Sequence, residues 1–206
     1  MYIVSPSVPY IPQITQYDCW HASLRMICKW RYTDQSEPVG THTAWLYTKC
    51  REAQSRFNTL TAQHLSTIKD PDEINKHHAN VYAKKNVTKW SIEQALLANS
   101  KKFKPFSEGR PGLTRSLLPT ILAENKLRAV LGPACISPEM AATSAAVEEM
   151  LSSHGPLYCL VNFGHVVVIV GVDGDKLHVC DPLFGKGPTP VGFDFVTKSP
   201  CVARIG

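Results

Sequence analysis

The texture of the chain changes sharply at Gly155-Pro156, and that change sets the fold class. Downstream, Leu157–Asn162 and Val166–Val172 are short runs rich in β-branched residues. Asp173-Gly174-Asp175 is a hairpin turn signal, and Lys176–Cys180 returns as a third strand. Gly185 to Pro190 reads as a loop, and Val191–Val196 and Cys201–Ile205 as further strands. Upstream the period is helical. After an extended lead-in over residues 1–18, a helix starts at Cys19 with Asp18 as its N-cap. Trp20, Leu24, Ile27 and Cys28 form its apolar face as far as Trp30. Residues 33–42 connect it to helices expected at Thr43–Gln54, Thr61–Lys69, Pro71–Lys84, Ser91–Asn99 and Leu113–Glu124, with Lys101 to Gly112 as an exposed loop. Ser137-Pro138-Glu139 opens a last helix that runs to Ser153 and stops at Gly155-Pro156. The expectation is an α+β domain over residues 1–206, mainly helical over 1–155 and an antiparallel β-sheet over 156–206.

Composition narrows the function classes. Hydrophobic residues at 44% and charged residues at 19% fit a packed protein and argue against global disorder. The apolar run Val166–Val172 is far short of the ~20 residues a membrane helix needs. Met1 to Gln13 lacks the basic start and apolar stretch of a signal peptide. The net charge of +5 is mild, and the cluster Lys101, Lys102 and Lys104 carries one aromatic, Phe103, so no nucleic-acid partner is expected. His77 and His78 diverge on a helix, and Gly185-Lys186-Gly187 lacks the setting of a phosphate loop. Neither a metal nor a cofactor is expected.

Seven cysteines remain to be explained, at positions 19, 28, 50, 135, 159, 180 and 201. None is paired as CxxC, so a zinc ribbon or redox pair is unsupported, and the odd count suits a reducing compartment. Cys19 differs from the rest. It stands at a helix start, where the helix dipole favours a thiolate. Gln13 precedes it in an extended segment and can offer its side-chain amide to an oxyanion. His165 stands at the mouth of the strand Val166–Val172, and Asp181 follows the return strand, so antiparallel pairing would bring its carboxylate back beside the imidazole. The other six cysteines read as packing. His21 is two residues along the helix and faces away from Cys19. His154 and His178 are reserve candidates, and Asp173 and Asp175 are turn formers.

At these residues the chain resembles the papain-like cysteine peptidases. Gln13, Cys19, Trp20 and Ala22 match the family's Gln-x5-Cys-Trp-x-Ala block, and Gly164-His165 with Val166–Val172, then Asp181-Pro182, match its His-strand-Gly and Asp-Pro blocks. The interval from Cys19 to His165 falls inside the ~130–150-residue window of papain-like enzymes. The form is most similar to the bacterial branch with double-glycine leader peptidases and effector proteases of plant pathogens. The resemblance implies Cys19 as nucleophile, His165 as general base and acid, Asp181 as orienting group, and Gln13 with the Cys19 backbone N–H as oxyanion donors. Asp in place of the Asn of plant and animal papains follows the bacterial branch.

The expected activity is therefore cysteine endopeptidase on a protein substrate. The same triad would serve a peptidoglycan amidase or a glutamine deamidase or transglutaminase, and a non-catalytic binding module is the remaining alternative. Gln13 lies too near Met1 for an inhibitory propeptide to precede it, so the enzyme is expected to be active as made or to be a module of a longer chain. That suggests a bacterial effector or interbacterial toxin, made in the cytoplasm and held in check by an immunity protein. It would be exported by a dedicated system and act in the reducing cytoplasm of a target cell.

Overall fold

Helical and strand periodicities segregate along the chain into elements that a computed structural model describes over residues 1–15, 17–31, 37–67, 113–114, 116–132, 139–161, 165–183, 187–194 and 201–206. The helices are α1 (Cys19–Arg31), α2 (Thr41–Thr67), α3 (Leu118–Glu124) and α4 (Ser144–His154). The strands are β1 (Tyr2–Ile3), β2 (Leu127–Leu131), β3 (Leu157–Val161), β4 (His165–Asp173), β5 (Lys176–Cys180), β6 (Thr189–Gly192) and β7 (Cys201–Ile205). The seven strands form one antiparallel sheet in the order β2-β7-β3-β4-β5-β6, with β1 added to β4. The architecture is α+β, as the change of texture implies.

Side chains alternate between the faces of a strand, so a run of consecutive buried residues requires cover on both faces. All of β3 and Val166–Val172 of β4 are buried, which is why both read as unbroken apolar runs. Helix α1 packs on β4 and β3, and α4 on β3, β4 and β7. The Asp-Gly turn closes the β4–β5 hairpin with Asp173 opposite Lys176, and Gly174 takes φ +57°. Helix α4 ends at Gly155, whose φ of +77° and contact with the Trp30 ring leave no room for a side chain.

Several element boundaries differ from expectation for physical reasons. Thr43–Gln54 and Thr61–Lys69 join in the single helix α2, since no Gly or Pro between residues 55 and 60 stops it. Helix α3 starts at Leu118 rather than Leu113 and places Pro119 in its first turn; an earlier start would bury that proline in the helix interior. Helix α4 starts at Ser144 rather than Ser137, capped by Thr143, whose hydroxyl accepts from Ala146 N–H. The backbone N–H groups of Glu139 and Met140 donate instead to the Val130 carbonyl of β2, a strand that the sequence reading missed. Strand β6 spans Thr189–Gly192, earlier than the expected Val191–Val196.

Contacts divide the chain into two compact units, Met1–Arg51 with Pro111–Gly206, and Glu52–Arg110. The boundary falls within α2. The expected helices Pro71–Lys84 and Ser91–Asn99, the loop Lys101 to Gly112, and Cys135, Ser137, Gly164 and Lys186 lie outside the described residues.

Candidate active site

The site is assembled from both ends of the sequence within the first unit. Cys19 is the first residue of α1 and is 6% exposed. Asp18 holds the cap position through its carbonyl, which accepts from His21 and Ala22 N–H. Its carboxylate turns the other way and accepts from Thr15 N–H at 2.8 Å and Ile14 N–H at 3.3 Å. The expected side-chain cap is thus spent on the preceding loop, which it closes tightly up to the cysteine. Burial raises the Asp18 pKa, against the opposing pull of those loop hydrogen bonds.

His165 opens β4 and Asp181 follows β5. Because Cys180 pairs with Val168, the next residue arrives level with the start of β4. Asp181 Oδ1 lies 2.8 Å from His165 Nε2 and also accepts from Leu183 N–H at 2.9 Å. The imidazole is also hydrogen-bonded to the Cys19 side chain. With Nε2 held by Asp181, Nδ1 is the nitrogen left for the thiol. Burial alone would lower the His165 pKa, but the hydrogen bonds to Asp181 and Cys19 and the two neighbouring charges lift it to about 10. The structure therefore brings Cys19, His165 and Asp181 together.

Gln13 is tied to the same corner by its backbone, whose N–H donates to the Pro182 carbonyl at 3.0 Å. Tyr10 reinforces the link through its hydroxyl, 3.3 and 3.2 Å from the carbonyls of Asp181 and Pro182. The Gln13 side-chain amide donates one N–H to the Thr15 carbonyl at 2.7 Å. An amide NH2 carries a second N–H.

A family model described as papain-like cysteine protease AvrRpt2 matches residues 126–190. That match supports a papain-like cysteine protease. The matched segment takes in His165 and Asp181 and stops short of Cys19. No curated protein and no solved structure matches the chain.

The remaining candidates fall to structural roles. His21 is buried, stacked on Tyr47 at 3.9 Å, and burial helped by Arg25 lowers its pKa to about 4. His154 lies beside Arg204, and His178 pairs opposite Gly171 and Pro190 in the sheet. Asp173 faces the N-terminal amine. Cys28, Cys50, Cys159, Cys180 and Cys201 are buried thiols, and burial pushes Cys50 up to about 12 and Cys180 to about 11. Among the described residues no group of His, Cys, Asp and Glu is arranged to hold a metal, and no helix is long and apolar enough to cross a membrane. A cavity of about 310 Å³, lined among others by Tyr2, Trp30, Arg31 and His154, includes none of the site residues.

Proposed function

We propose that the chain is an endopeptidase whose nucleophile is Cys19, whose acid and base is His165, and whose orienting group is Asp181. The observation that carries this reading is one imidazole shared between a helix-start thiol and a carboxylate. Asp181 on Nε2 fixes the ring and stabilises the imidazolium, so Nδ1 is held toward sulfur. Cys19 Sγ attacks the peptide carbonyl, and the imidazolium passes its Nδ1 proton to the leaving amine. Water then opens the thioester, with His165 now taking its proton. The second amide N–H of Gln13 and the Cys19 backbone N–H are the oxyanion donors in this scheme.

We further propose an effector or interbacterial toxin role, of which the family match supports the effector part, with an immunity protein restraining the enzyme in its maker and the target cytoplasm as its place of action. Harmless expression in a bacterial cytosol would remove the toxin version.

The discriminating experiment is a proteome incubated with the wild type or with Cys19→Ala. New N-termini are expected with the first and none with the second. No new N-termini, with released muropeptides or ammonia, would reassign the triad to an amidase or a glutamine deamidase.

A further inference from the structure

We propose that Ser23 is a positioning residue that holds the Cys19 thiol in register with His165, an inference that rests on the triad proposed above. Ser23 lies one helical turn beyond Cys19, so the two residues share a face of α1. It is fully buried, and its hydroxyl donates to the Val166 carbonyl at 3.2 Å. Val166 is the residue next to His165. This hydrogen bond thus runs from the helix that carries the thiol to the strand that carries the imidazole.

The chemistry of the surrounding interface shows why this bond matters. Trp20, Leu24 and Ile27 of α1 join the same hydrophobic core as Val166 to Val170 of β4. Apolar burial is non-directional and sets how closely two elements pack, with little control over sliding along the helix axis. A hydrogen bond prefers one angle and one distance, so it selects a single register. Mid-helix serines commonly turn back to the carbonyl of their own preceding turn, whereas Ser23 is committed to another element. The β4–β5 ladder begins only at Val168 opposite Cys180, so the stretch that bears His165 is paired on one edge alone, by β3, where Val161 lies opposite His165. Ser23 supplies a fixed point there.

The test compares Ser23→Ala and Ser23→Thr with wild type, using fluorescent casein as substrate and iodoacetamide as a probe of Cys19. Misplacing reacting groups by about 1 Å costs on the order of 10²-fold in rate. Ser23→Ala is expected to lower kcat by roughly 10- to 100-fold with KM within about twofold. It should slow Cys19 alkylation in parallel and move the His165 titration, read by NMR, back toward an ordinary histidine. Ser23→Thr keeps the hydroxyl and should restore most of the rate. If Ser23→Ala folds and leaves kcat, alkylation and titration unchanged, the proposal is overturned. If Ser23→Ala does not fold, Ser23→Cys, nearly isosteric but a weak donor, takes its place: slower than Ser23→Thr supports the proposal, and equal rates overturn it. Cys19→Ala runs alongside. Cleavage by that variant would remove the triad itself, whereas a silent Cys19→Ala with an unaffected Ser23→Ala removes only the role of Ser23.

Discussion

Two histidine–carboxylate pairs in this molecule have almost the same geometry and opposite meanings. His42 Nδ1 lies 2.9 Å from Glu124, and His165 Nε2 lies 2.8 Å from Asp181. In the first pair the histidine is 55% exposed and the carboxylate does the structural work. Glu124 accepts from the backbone N–H of His42 and Thr43, each at 2.9 Å, and from the Thr43 hydroxyl at 2.7 Å, which caps the start of α2 from another element. Burial would raise its pKa, but these hydrogen bonds lower it to about 2. Gly40, at φ +114°, lies so close to the Glu124 carboxylate that a side chain there would collide. In the second pair the histidine is largely buried, and its other nitrogen faces a thiol. A histidine beside a carboxylate is therefore no sign of catalysis in itself. What the second ring nitrogen faces separates an anchor from a site.

The contrast breaks down unless substitutions at the two pairs have opposite consequences. Cys19→Ala should lower proteolysis by roughly 10⁴-fold or more with the melting temperature retained. Asp181→Asn should cost about 10²- to 10⁴-fold in kcat, since the imidazole loses its tautomer control; a loss under tenfold would reduce Asp181 to packing. Gln13→Ala should cost about 10²- to 10³-fold in kcat, the range of one oxyanion donor, and an unchanged kcat would place Gln13 in the loop alone. Glu124→Ala should leave kcat within about twofold and cost about 1–2 kcal/mol of stability, the range of a lost helix cap, read by urea unfolding. The pH signs differ as well. The Glu124 contribution is present above the ordinary carboxylate value of 4.5 and fades as pH falls toward about 2. The His165 contribution is complete below about 6.5 and fades as pH rises toward about 10. Unfolding measured from acid to alkaline pH should show the first loss disappear in Glu124→Ala and the second in Asp181→Asn.

The parts legible in the sequence are those written in local chemistry. The Asp-Gly hairpin, the glycine stop after α4 and the helix start at Cys19 depend on residues within one turn of each feature, and the hairpin puts Asp181 in line with His165. Tertiary partners governed what was missed. Ser137-Pro138-Glu139 is a sound helix start by itself, yet the Glu139 and Met140 backbones are taken up by β2. The run Leu127–Leu131 is too short for its period to separate strand from helix, and it is a strand because β7 pairs with it. Asp18 has the right type for a helix cap, but its carboxylate serves Ile14 and Thr15. Ser23 and Glu124 carry no sequence signal, since each acts on a residue at least 80 positions away.

The claim at the centre is that Cys19 and Asp181 act together on one imidazole. Titration of the His165 ring by NMR tests it most directly. The imidazolium is expected to persist to a midpoint near 10 in the wild type and to fall back toward 6.5 in Cys19→Ala and in Asp181→Asn. A His165 that titrates near 6.5 in the wild type, unmoved by either substitution, would contradict it.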